Sequence, residues 1–241
     1  IAAFATLKGV TAVLRVATVD LVSFDTPTFN SLATLLANTF SLKIGQAQML
    51  GASFVGGALV IWALLSKEFR SSANNLLAGC GIGAVITAMW WASGSFGYVA
   101  EHPDTLQEAF LTTNSGRAEA LSFVAPVAYT LDWLMFFSDK TKVIGLAITS
   151  VFGVVAGSAV IALATRSFRW EGFANTEDLT NHLVGGILMG VGGVTAMGCT
   201  IGQGLSGIST LSLMSLLAVM SIVVGAIAAF KYQTWRLEKM I

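Results

Sequence analysis

Apolar residues run along this chain in unbroken stretches, and its polar residues gather in the gaps between them. Residues 44–66, 71–100, 143–165 and 179–230 hold no Asp, Glu, Lys or Arg. A helix needs about 20 apolar residues to cross a hydrocarbon layer of about 30 Å. The pattern therefore predicts spans near 48–66, 75–93, 143–165, 181–198 and 208–230. Two less clean segments, 1–17 with Lys8 and Arg15 and 118–138 with Pro126 and Asp132, raise the total to six or seven. Backbone groups in lipid must find partners within the segment itself, so these segments are predicted as helices. The period-2 alternation of a membrane β-barrel is absent. The fold class predicted is an all-α integral membrane protein, a polytopic bundle that includes re-entrant or half-depth helices.

Loop chemistry separates the segments. Residues 18–30 carry Asp20, Asp25 and Pro27, and 31–45 have the pattern of a short amphipathic helix lying at the interface or at half depth. The longest polar stretch, 94–117, holds Glu101, His102, Pro103, Asp104, Glu108 and Arg117, and a second link, 166–178, holds Arg166, Arg169, Glu171, Glu177 and Asp178. Lys231, Arg236 and Lys239 mark the tail as a cytoplasmic end. With that end inside, two topologies remain, depending on whether 118–138 spans or dips in and returns. Each puts seven Lys/Arg inside and four outside, so charge bias does not separate them, and Pro126 favours the dip.

Composition agrees with a membrane class: 55% of residues are hydrophobic and 11% charged, against roughly 25% charged in soluble domains. Thirteen basic and thirteen acidic residues cancel, so no field attracts nucleic acid. The two cysteines form no CxxC pair, no HExxH occurs, and neither a metal nor a cofactor is expected. The chain opens at Ile1 inside an apolar stretch, which is expected of a fragment of a longer protein.

The candidate chemistry lies in 179–230, which is longer than one span and must turn without charge. Its middle reads GCTIGQGLSG, with Gly198, Gly202, Gly204 and Gly207 around Cys199. Irregular backbone at membrane depth is tolerated where protein or a water-filled cavity surrounds it, and broken helices of this kind line transporter sites. Cys199, Thr200 and Gln203 would add donors with no fixed charge. Tight packing by small residues explains the same glycines equally well. Gly186-x-x-x-Gly190 and Gly153-x-x-x-Gly157 favour packing outright.

Other candidates carry less. Cys80 lies in Gly79-Cys80-Gly81-Ile82-Gly83, which matches Gly198-Cys199-Thr200-Ile201-Gly202 and hints at an internal repeat, yet an uninterrupted apolar run follows it. Cys80 is therefore a small buried residue or a second pathway residue. His182, at the start of a span, is expected to face the headgroup region. Asp132 either neutralises a cation or sits at the interface with Trp133, and the tryptophans near span ends form an aromatic belt.

Residues 185–226, GGILMGVGGVTAMGCTIGQGLSGISTLSLMSLLAVMSIVVGA, resemble the signature region of the YeeE/YedE-type sulfur transporters. ALSFVAPVAYTLDWLM at 120–135, GAVITAMWWASG at 83–94 and IAAFATLKGVTAVLRV at 1–16 resemble further elements of that family in the same order. The resemblance implies a bacterial inner-membrane protein with two inverted halves in an hourglass of full and half-depth helices. One transmembrane domain would cover 1–241, with 1–117 the remainder of the N-terminal half and 118–241 the C-terminal half. It further implies that Cys199, amid Gly198, Gly202 and Gly204, is the pore cysteine of the C-terminal half. Thr200 and Gln203 would line the same path, Cys80 matches no family cysteine cleanly, and the partner Gly-Cys helix would precede Ile1. The implied activity is passage of thiosulfate or a related sulfur anion. Cys199, neutral in an apolar setting, would donate a weak S–H hydrogen bond backed by backbone amides. The alternative is a membrane subunit that hands sulfur or selenium to a small cytoplasmic sulfurtransferase-type partner. Enzyme chemistry is disfavoured, because only His182 lies in 179–230 as a base.

Overall fold

The computed structural model describes residues 1–21, 31–101, 106–139 and 142–240. The loop residues Asp25, Pro27, His102, Pro103 and Asp104 lie outside them. Chain order is α1 (Ala2–Lys8), α2 (Val10–Thr18), α3 (Leu32–Phe40), α4 (Ile44–Leu65), α5 (Lys67–Ser71) and α6 (Ala73–Ser95). A two-stranded hairpin, β1 (Tyr98–Val99) and β2 (Ala109–Phe110), precedes α7 (Val124–Met135), α8 (Leu146–Ala164) and α9 (Thr176–Thr195). A π-helical turn (Gly202–Gly207) then leads to α10 (Leu213–Met240). The described residues are mostly helical, with almost no sheet.

Among the described residues four helices are long and apolar enough to cross a membrane: α4, α6, α8 and Leu213–Arg236 of α10. Their apolar windows are at most 17% buried within the chain. Phe54, Trp62, Leu77, Val160 and Leu217 all stand exposed there. Side chains of this kind on all sides of a helix are stable against lipid or neighbouring helices, not against water.

The remaining predicted segments are shorter or more polar than their sequence pattern suggests. Segment 1–17 is two helices, broken at Gly9, whose φ of −107° and ψ of −155° leave the helical region. A Cβ on Gly9 would lie 2.8 Å from Ala5 Cα, so only glycine fits that break. Segment 118–138 contributes the 12 residues of α7, about 18 Å of helix, which is shorter than a hydrocarbon layer of about 30 Å. α9 begins at Thr176, ahead of the predicted 181, where the Asn175 side chain caps the Asp178 amide at 2.7 Å. Glu177 and Asp178 in its first turn suit the positive helix end, and with Asn181 and His182 they dilute its apolar character.

The chain divides into two compact units, Ile1–Ser23 with Gly83–Gly202, and Phe24–Ile82 with Gln203–Ile241. In the first, α1 packs on both α7 and α9, and α7 also touches α8 and α9. Its core cluster is Ala3, Val124, Ala128 and Val194, with Phe4, Leu7 and Cys199 packed against it. Two glycines of α9 permit this. A Cβ on Gly190 would lie 2.8 Å from the Ala3 nitrogen, and one on Gly193 would lie 2.8 Å from Val124 Cγ2. Gly186, Gly153 and Gly157 face open space, so only Gly190 of the two expected packing pairs meets a neighbour. The segment before α7 is pinned to α6: Ser93 Oγ donates to the Glu119 carbonyl at 2.6 Å and accepts from the Glu119 amide at 3.0 Å.

In the second unit the amphipathic helix expected at 31–45 is α3, which starts with a Ser31/Thr34 capping box. It ends at Ser41 with φ of 51°, and α4 follows from Ile44. α3 packs on α4, where a Cβ on Gly51 would come within 3.2 Å of Leu211 Cδ1. Leu32 N donates to the Leu211 carbonyl at 3.0 Å, which ties the start of α3 to the corner before α10.

Gly190→Ala is expected to destabilise the protein in detergent by about 1–3 kcal/mol, because backbone and not a flexible side-chain end must yield. Gly186→Ala is expected to have almost no effect. Equal thermal shifts for the two variants would contradict the close approach of α1 to α9.

Candidate functional site

The turn that presents Cys199 is built by hydrogen bonds at the end of α9. The Met197 amide donates to the Val194 carbonyl at 3.1 Å, and the Gly198 amide donates to the Gly193 carbonyl at 2.8 Å. Together they form a Schellman turn, which needs one residue in the left-handed region. That residue is Met197, with φ of 54°, and not the neighbouring glycine. Its side chain is 83% exposed, so no packing lost or gained explains the choice. Gly198 is buried, and a new helix begins at Thr200.

Cys199 thus occupies the N-cap position of that new helix. The first amides of a helix have no partner within it, and a cap side chain normally accepts from the second or third. Here the Cys199 sulfur is faced by the amides of Ile201 and Gly202 in those places. It is faced from across the unit by the amides of Phe123 and Val124, where α7 begins. Phe123 provides no side-chain cap for α7, and Pro126 in its first turn lacks one of the amides that would otherwise be orphaned. The N-termini of two short helices therefore converge on one half-buried thiol.

Close approach of these ends requires Gly202. A Cβ there would stand 2.9 Å from Ser122 Oγ, just upstream of α7. An apolar setting for Cys199 follows from its sequence neighbours, and one side of it is apolar, the Ala3–Val124–Ala128–Val194 cluster. The other side is a set of amides whose partial positive charges suit an anion. A sulfur atom is a weak acceptor, so the amides keep most of their capacity for a stronger one.

The other expected site residues are distributed unevenly. Gly198, Cys199, Thr200 and Gly202 belong to the first unit, and Thr200 is exposed. Gln203 and Gly204 belong to the second. There Gln203 Oε1 accepts from Ser215 Oγ of α10 at 2.6 Å, with Ser215 and Ser206 both buried. Gly207 approaches Ser215 so closely that a Cβ would collide with its hydroxyl. Gly204 has only an ordinary neighbour, Val219 Cγ2, 3.7 Å from the position of a Cβ. Cys80 is exposed on continuous α6, so the two matching Gly-Cys pentapeptides have different backbones. His182 is exposed near the start of α9, with Nδ1 2.8 Å from the Asp178 carbonyl oxygen.

Asp132 is buried and neutralises cations. Its Oδ2 accepts from Lys8 Nζ at 2.7 Å and from Lys142 Nζ at 2.9 Å. The hydrogen bond to Asp132 holds the Lys142 ammonium above the ordinary lysine range. The residues that sequence reasoning missed are Ser122, Phe123, Val124 and Ser215. Pro126 was the available signal for the first three, since proline early in a helix marks its N-terminus; nothing singled out Ser215 among the serines of 206–221.

Comparison with known proteins adds the following. A family described as sulphur transport matches residues 61–228, more than two thirds of the chain. The thiosulfate transporter TsuA of Escherichia coli (strain K12) is 35% identical over 95 residues, which are 39% of this chain. That match spans about a quarter, 26%, of the relative's length.

Gly202→Ala is expected to destabilise the protein in detergent by about 1 kcal/mol at most, less than Gly190→Ala, because only the Ser122 hydroxyl must turn aside. Ser122→Ala in the same molecule should recover most of the loss, because the obstructing atom is gone. Additive losses in the double variant would place the obstruction elsewhere.

Proposed function

This multi-pass membrane chain belongs to the sulphur transport family, and from that membership we propose that it carries a small sulfur-containing anion, thiosulfate first among them, past Cys199. The convergence of four backbone amides on the Cys199 sulfur carries the proposal. The matched family and relative are transport proteins, not enzymes. In this proposal α1 with α2, α7 and the turn after Cys199 are the half-depth elements of an hourglass with inverted halves. The division at 117/118 separates those halves.

The physical logic is replacement of water. A doubly charged anion leaving solvent needs donors, and fixed amides provide them without a counter-ion that would hold it. In its protonated form the Cys199 thiol adds an S–H donor that is weak enough to release, although the amides that face the sulfur favour the thiolate. Gly198 and Gly202 let the backbone come close, and Thr200, Gln203 and Gly204 continue the path. Weak sequential contacts suit conduction, where binding must be followed by escape. Passage is preferred over delivery to a sulfurtransferase-type partner because the matched family is described as sulphur transport and the relative as a thiosulfate transporter.

In the full-length protein, Cys199→Ala is expected to abolish growth on thiosulfate as sole sulfur source in cells that lack other sulfate and thiosulfate uptake. Cys80→Ala is expected to grow like the wild type. Normal growth of the Cys199 variant, at equal membrane levels, would sink the relay; loss of growth in the Cys80 variant would reassign the second cysteine.

A further inference from the structure

Outside the Cys199 turn, the most constrained polar group in the first unit is Asp132. Its side chain is 8% exposed, and one oxygen receives both Lys8 and Lys142, whose side chains are 43% and 28% exposed. Lys8 is the last residue of α1, and Lys142 lies just before α8. The cluster therefore joins three elements, and Asp139 adds a weaker attraction on Lys142.

Its place along the helices links it to the thiol. Ala3 of α1 and Val124 of α7 share the core cluster against which Cys199 packs. Five residues on from Ala3 is Lys8; eight residues on from Val124 is Asp132. α1 and α7 thus run side by side in the same sense, with N-terminal ends near the thiol and the ion cluster about 12 Å further along α7. Parallel helix dipoles repel at such a range, and an acidic residue near the C-terminus of α7 worsens it. Two lysines at that end reverse the sign of both effects.

We infer that Asp132, held by Lys8 and Lys142, is a positioning residue that fixes α7 against α1 and so aims the Phe123 and Val124 amides at the Cys199 sulfur. The inference rests on the proposed anion path. Asp132 does not touch the anion; it acts through the register of α7. A buried carboxylate stripped of its partners, or two ammoniums left without it, would push the elements apart, and a small misplacement of converging donors weakens them steeply.

The test uses the full-length protein in proteoliposomes, with modification of the Cys199 peptide followed by mass spectrometry. Two thiol reagents are compared, neutral methyl methanethiosulfonate and its anionic 2-sulfonatoethyl analogue. Their rate ratio reads the anion preference of the site, which a loss of stability alone does not shift. Asp132→Asn is expected to lower the anionic-to-neutral ratio on the order of tenfold, and Asp132→Glu to retain most of it. Because Asp132→Asn leaves two lysines facing each other, a neutral triple variant (Lys8→Gln, Asp132→Asn, Lys142→Gln) keeps the test open. Replacing a whole buried ion cluster is tolerated more often than breaking it. The triple variant should insert and yet show the lowered ratio. A wild-type ratio in either Asp132→Asn or the triple variant overturns the positioning role, while the anion path stands if the wild type prefers the anionic reagent. No such preference in the wild type, with Cys199→Ala still transporting, would instead remove the anion path itself.

Discussion

The candidate site depends on amides that have no partner within their own helices. Every helix begins with such N–H groups, and they turn to whatever acceptor lies at its start. Two helices start at one point in this unit, and the atom between them is the Cys199 sulfur. A carboxylate or hydroxyl cap would have satisfied those donors strongly and closed the site. A thiol satisfies them weakly, which on the proposed path leaves the end of each helix an acceptor short for the anion.

Such an arrangement demands close packing around it. Gly190 lets α9 meet the backbone of α1, Gly193 makes room for the Val124 side chain of α7, and Gly202 does so for the Ser122 hydroxyl. These contacts are made inside one compact unit, so the geometry of the thiol is settled by neighbours of its own. In the other unit the buried pair Gln203–Ser215 has its own close glycine, Gly207. Both clusters place polar atoms among small residues, where a methyl group would force them apart.

Much of the fold was legible because its signals are long. Charge-free runs marked α4, α6, α8 and α10, and the amphipathic pattern at 31–45 marked α3. What was not legible depends on single residues. Gly9 breaks the first segment although the apolar pattern runs through it, and Asn175 starts α9 earlier than the apolar stretch does. Glycine content pointed to the turn at Cys199, but it did not show that the left-handed position falls on Met197. The pentapeptide around Cys80 shows the same limit: four matching letters of five give a helix interior in one place and a helix start in the other. The amides of Phe123 and Val124 belong to the backbone, and a side-chain alphabet does not show them.

The Asp132 carboxylate has a further consequence for motion. Two ammoniums share a single oxygen, so either one can let go while the other still neutralises the charge. Exchange of partners replaces rupture, and the carboxylate is never bare. A joint of that kind keeps α1 and α7 in register even when one of its two contacts is lost, much as a doubled stitch holds a seam when one thread parts.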